Sequence, residues 1–148
     1  MLIIGIDPGK SGGVGWMDMA ATAPMASKMP ETVHELASLM RGLIEDETSL
    51  KVYLERVHAM PGQGVTSMFS FGQGLGQIEG VLAALAIPYE WVTPQKWQAA
   101  MACKTGGDKN VSKRKALELF PGTKWTHATA DCALICEYGR RMELRGGA

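Results

Sequence analysis

The order of its apolar runs is what most restricts the fold of this 148-residue chain. Residues 2–7, Leu-Ile-Ile-Gly-Ile-Asp, form a β-rich apolar run that stops at Asp7-Pro8-Gly9, and residues 12–19 form a second one. The pair predicts a hairpin around a glycine-rich turn. A weaker third strand is expected over 25–29. Residues 31–47 place Val33, Leu36, Leu39, Met40, Leu43 and Ile44 at helical spacing, with acidic residues near the start. Next come a strand over 50–55, a long helix over 66–86, a strand over 88–93 and a short helix over 94–100. A helix over 112–119, with Ser112 as its N-cap, and a last helix over 126–144 complete the chain. A hairpin first and crossovers later predict one α/β domain over residues 1–148, a five-stranded mixed sheet flanked by helices. The long helix carries Gly72, Gly76 and Gly80 four apart, a smooth face that costs about 1 kcal/mol per glycine. Such a face suits either the protein's own sheet or a second copy of the chain.

Composition removes several function classes. The longest apolar run, residues 80–87, is far short of the ~18–20 residues that cross a bilayer, and the apolar start lacks the basic flank of a signal peptide. No membrane partner and a cytoplasmic location are therefore expected. Cys103, Cys132 and Cys136 are odd in number and contain no C-x-x-C pair, which fits free thiols in a reducing compartment. Their rival reading is a zinc cluster completed by His127. Charge is neutral in total but uneven: residues 1–90 carry five Lys/Arg against ten Asp/Glu, and residues 91–148 reverse that ratio. The second part can present a basic face to a polyanion, although a solvated helix surface explains the same charges.

Three acids stand where a sheet would converge them. Asp7 ends the first strand, Glu55 ends the fourth, and Asp131 lies in the first turns of the last helix. A right-handed crossover makes the first and fourth strands parallel neighbours, with their ends side by side. Acids grouped in this way raise one another's pKa unless a divalent cation neutralises them, and oxygen-only ligation favours Mg²⁺ or Mn²⁺ over zinc.

Residues 4–12 (Ile-Gly-Ile-Asp-Pro-Gly-Lys-Ser-Gly), Tyr53-Leu54-Glu55-Arg56 and residues 127–134 (His-Ala-Thr-Ala-Asp-Cys-Ala-Leu) resemble the three active-site segments of RuvC-type Holliday-junction resolvases. Residues 60–64, Phe71-Gly72, residues 91–97 and Leu119-Phe120-Pro121 resemble the small phage-type members, so the likeness covers nearly the whole chain. The resemblance implies an RNase H-like fold and an endodeoxyribonuclease with two Mg²⁺ ions per site, Mn²⁺ being a substitute. It implies Asp7, Glu55 and Asp131 as catalytic metal ligands, with Asp7 bridging both ions. The family's fourth ligand, Asp or His, stands one turn before the last; position 128 is alanine, so His127, four residues back on the same helix face, is the candidate.

Hydrolysis by such a site leaves 5′-phosphate and 3′-hydroxyl ends. The glycines of residues 9–13 fit close approach of the backbone to the scissile phosphate. Lys10, Ser11, Arg56 and Gln63 in the matched segments, and Lys113, Arg114 and Lys115 inside the Ser112 cap, are the candidate contacts to DNA. The expected partner is branched DNA, a four-way junction read by shape and backbone. Paired cuts on a two-fold substrate imply a homodimer. Phe69 and Phe71, with Met68, are either a wedge at the junction centre or helix core. No G-x-G-x-x-G fingerprint is present and no nucleotide cofactor is expected. The competing functions are a nuclease for forks, flaps or RNA–DNA hybrids, a non-catalytic junction binder, and an ATP-binding protein of the actin and sugar-kinase fold.

Overall fold

The computed structural model describes residues 1–59 and 61–146. Its elements are β1 (Leu2–Asp7), β2 (Gly13–Asp18), β3 (Met25–Lys28), α1 (Val33–Ile44), β4 (Leu50–Glu55), α2 (Val65–Ala84), β5 (Tyr89–Val92), α3 (Pro94–Ala100), α4 (Lys109–Leu119) and α5 (His127–Gly146). The strands form one sheet in the order β3-β2-β1-β4-β5. β1 and β2 are the antiparallel hairpin, while β1 with β4 and β4 with β5 pair in parallel across helical crossovers. The mixed five-stranded sheet expected from the apolar runs is the one observed.

Strand alternation divides the core in two. Leu2, Ile4 and Ile6 of β1, with Val52 and Leu54 of β4, face α1 and α2. Ile3 and Tyr53 face the other way, toward α5 and the aromatic cluster of Trp97, Phe120 and Trp125. Asp7 and Glu55 continue this second series, two residues beyond Gly5 and Tyr53. Period-2 geometry thus puts both acids on the side where α5 packs.

On that side α5 seats directly on the sheet. Gly5 and Gly15 are paired across β1 and β2. A Cβ at Gly5 would overlap the backbone nitrogen of Cys136 and lie 2.6 Å from the carbonyl oxygen of Cys132; one at Gly15 would lie 2.7 Å from that same oxygen. The contact is therefore backbone against backbone, and it sets the height of Asp131 over the end of β1.

The helix limits correct the sequence reading at one place that bears on function. Ser112 does not cap α4; it is buried within it, and the helix begins three residues earlier behind Asp108, whose side chain accepts from the Asn110 N–H at 2.9 Å. Lys113, Arg114 and Lys115 consequently sit beyond the first turn, and the basic residue at the helix entrance is Lys109. Gly12 and Gly13 also have internal reasons to be glycine: a Cβ would meet the Asp7 carbonyl in the first case and the carbonyls of Ala128 and Ser27 in the second. Close packing alone is sufficient reason for glycine at both positions. Finally, Gly72, Gly76 and Gly80 face open space with nothing within 4 Å of an added Cβ, so α2 does not turn its smooth face to its own sheet.

Candidate active site

The carboxyl ends of β1 and β4 and the second turn of α5 bring Asp7, Glu55 and Asp131 into one electrostatic cluster. Glu55 is buried, with 7% of its surface exposed, while Asp7 and Asp131 each keep a partly open face. Burial, and then the charges of Glu55 and Asp131, push the Asp7 carboxyl well above the usual carboxylate range. Glu55 and Asp131 are raised as well, chiefly by burial. Asp7 hydrogen-bonds Glu55, so in the metal-free chain a proton held on Asp7 relieves part of the repulsion. The acids are linked in pairs: among the described residues no three His, Cys, Asp or Glu side chains gather as ligands of a single ion.

Each acid has its own support. The indole Nε1–H of the fully buried Trp97 donates to Glu55 Oε1 at 2.7 Å. Ser112, the buried residue of α4, and the charges of Lys109 and His127 counter the upward push on Asp131. Asp131 Oδ1 is nonetheless buried and has no hydrogen-bond partner. An unpartnered carboxylate oxygen beside two further acids makes an all-oxygen donor group, whose chemistry fits a hard divalent cation better than zinc.

His127, the first residue of α5, is exposed and near enough to Asp131 to act on its charge. Lys109 was not anticipated. It is exposed, makes no ion pair among the described residues, and its charge lowers the pKa of Asp7, Glu55 and Asp131 alike. A lysine in the first turn of a helix opposes the helix dipole by about 0.3–1 kcal/mol, and the field of three acids offsets that cost. Asp108, an N-cap type just ahead of it, was the local signal for this position.

The remaining candidates lie around the cluster rather than in it. Lys10 and Ser11, exposed in the β1–β2 turn, line a groove of about 1090 Å³ that continues along α2 past Thr66, Ser70 and Gln73. Arg56 is exposed next to Glu55, and its backbone N–H donates to the Val92 carbonyl at 2.8 Å. Gln63 is exposed in the turn before α2, and Met60 of the same matched segment lies outside the described residues. On α4, Arg114 is exposed and Lys113 half-buried, whereas Lys115 is held by both oxygens of Glu118 at 2.9 Å. Phe69 is 74% exposed on α2, which excludes helix core as its role; Phe71 covers the turn at Gly9. The three cysteines are buried, with Cys132 and Cys136 donating to backbone carbonyls of Thr129 and Ile3. Burial raises all three thiol pKa values, Cys103 to about 11, and among the described residues they form no three-ligand group with His127. No described helix is long and apolar enough to cross a membrane.

No family model matches the sequence, and no curated protein is similar to it in sequence. Solved structures do share the fold. RuvC of Thermus thermophilus in complex with a Holliday junction substrate matches over 99% of this chain and 96% of its own, with a TM-score of 0.66 at 17% identity. A second Thermus thermophilus RuvC structure matches over 99% and 97%, with a TM-score of 0.67 at 15% identity. The sheet and its helices are thus the RuvC arrangement of the RNase H-like fold.

Proposed function

We propose that this chain is a divalent-metal-dependent endodeoxyribonuclease of the RuvC type that resolves four-way DNA junctions as a homodimer. One observation carries the reading: acids from two neighbouring parallel strands and the helix across them converge at one end of a RuvC-like sheet, with one buried carboxylate oxygen left unpartnered. A structural cluster of carboxylates is expected to hold partners for its oxygens; this one keeps charge in reserve.

Asp7 and Glu55 would hold one cation and Asp7 and Asp131 the other, each ion drawing on a pair of acids, while His127 at the start of α5 is carried over from the resemblance as a further candidate beside Asp131. Bound Mg²⁺ would supply charge neutralisation at the phosphate and a lowered pKa for the attacking water. The chain's own residues account for the rest. Any proton held between Asp7 and Glu55 would pass to solvent as the two carboxylates take up the cation. Lys109, at the mouth, offers its ammonium to the scissile phosphate, and Lys10, Arg56 and Arg114 extend the positive surface along the backbone to either side. Cleavage of a synthetic four-way junction, a fork, a flap and an RNA–DNA hybrid side by side in Mg²⁺ tests the reading. The junction should be cut fastest, with paired nicks on opposing strands. Preference for another branched substrate would reassign the activity, and binding without cutting would make the protein a junction binder.

The homodimer is supported by α2. Val65 is 85% exposed, Phe69 74% and Met68 40%, and with Gly72 and Gly76 they occupy positions i, i+3, i+4, i+7 and i+11 on one face of the helix. Apolar knobs, one of them aromatic, beside open glycine grooves suit the self-complementary contact of a two-fold interface. Phe69→Asp, at an exposed position, should leave the fold intact and shift light scattering from dimer to monomer. Paired nicking should give way to single nicks at the same time. A monomeric parent protein would dismiss this face as the interface.

A further inference from the structure

We propose that Trp97 is a positioning residue whose indole N–H holds the Glu55 carboxylate in place for its cation. The inference rests on the metal-nuclease reading above and adds a group that touches neither metal nor substrate. Trp97 lies in α3, which is fixed at its start by Thr93, whose side chain accepts from the Lys96 N–H, and by Pro94. Its ring is fully buried in the aromatic cluster with Met101, Phe120 and Trp125, so its orientation is set by packing from all sides. The preceding strand holds the same end of β4 by its backbone, through the register of Glu55 with Val92 and the Arg56 N–H to Val92 carbonyl bond. Main chain and side chain of the Glu55 end are therefore gripped by one continuous β5–α3 segment.

The chemistry of the donor matters. An indole N–H can only donate, so it cannot swap roles with a protonated carboxyl as a hydroxyl would. It carries no charge, so it orients the carboxylate without cancelling the negative charge a cation needs, as Lys or Arg at that place would. It occupies one of the roughly four lone-pair sites of the carboxylate and leaves the others for the side facing Asp7. Partners of this kind on metal-binding side chains are commonly worth about 10–100-fold in metal affinity.

A purely structural tryptophan would account for the burial, and the protein contains its own control. Trp125 sits in the same cluster, but its indole N–H donates to a backbone group, the Phe120 carbonyl at 3.2 Å, and not to a carboxylate of the site. Calorimetric titration of Mn²⁺ into the parent chain, Trp97→Phe, Trp125→Phe and Asp7→Asn, with a thermal melt of each, separates the two roles. Both tryptophan variants should lose comparable thermal stability, and only Trp97→Phe should lose Mn²⁺ affinity, by about tenfold or more. Affinity within twofold of the parent in Trp97→Phe, or an equal loss in Trp125→Phe, overturns the proposal while leaving the metal site standing. A parent chain that binds Mn²⁺ no better than Asp7→Asn overturns both. Should phenylalanine at 97 prevent folding, the unmutated protein gives the same contrast. Of its four indole N–H resonances, that of Trp97 should shift on Mg²⁺ titration and that of Trp125 should stay; a stationary Trp97 signal overturns the assignment.

Discussion

Asp7→Asn should slow junction cleavage by about a thousandfold or more while making the metal-free chain more stable. The first effect follows from losing the one carboxylate shared by both proposed cations: withdrawing several kcal/mol of charge stabilisation at phosphorus is a factor of about 10³ in rate. The second follows from burial. Asp7 carries a pKa well above that of an unfolded aspartate, because the fold desolvates it and sets it beside Glu55 and Asp131. The folded state therefore binds more protons than the unfolded state between those two pKa values. Stability is complete below the unfolded value near 3.9 and falls as pH rises through the folded one. Asn removes that slope. In chelator at pH 7–8 the variant should melt a few degrees above the parent, at roughly 2–4 °C per kcal/mol for a chain of this size, and the gap should close as pH falls toward 4. Added Mg²⁺ should raise the melting temperature of the parent and not of the variant. A variant that melts lower than the parent at every pH would make Asp7 a structural acid.

Gly5→Ala should do the opposite, abolishing the fold while touching no charge. The new methyl would overlap the Cys136 backbone nitrogen and crowd the Cys132 carbonyl, and neither atom can move without unseating α5 from β1. A cost of about 4 kcal/mol or more is expected, set against the 5–15 kcal/mol that typically holds a domain together. Gly42→Ala is the matched control: Gly42 lies inside α1 with nothing within 4 Å of an added Cβ. Alanine there should stabilise by roughly 0.5–1 kcal/mol through helix propensity. Circular dichroism melts of the two variants check both signs, and a folded Gly5→Ala protein with an unchanged melt would mean that α5 is not seated as described.

Local pattern made much of this legible. The runs at 2–7 and 50–55 match β1 and β4 to the residue, because apolar strands bounded by an acid and a turn leave little freedom. That also placed Asp7 and Glu55 at neighbouring strand ends. What local pattern could not reach is contact across the chain. Trp97 lies 42 residues from Glu55, and nothing near either residue announces their bond. Lys109 was hidden for a different reason: residues 109–111 lack apolar periodicity, so Ser112 drew the helix start that Asp108 in fact provides. The glycines of α2 and of residues 12–13 show that one residue type has several causes, since the first face open space and the second are crowded by backbone.

The pairing of Gly5 with Asp7 on one face of β1 has a consequence for mutational tolerance. One strand face supplies both flatness for the helix and charge for the proposed cations, two residues apart, so a one-residue slip toward the N-terminus would replace each with isoleucine. A randomised library selected only for soluble expression would retain glycine at 5 and 15 and release aspartate at 7. Selection for cutting would keep all three, and the difference between the two surviving populations would map the chemistry separately from the architecture.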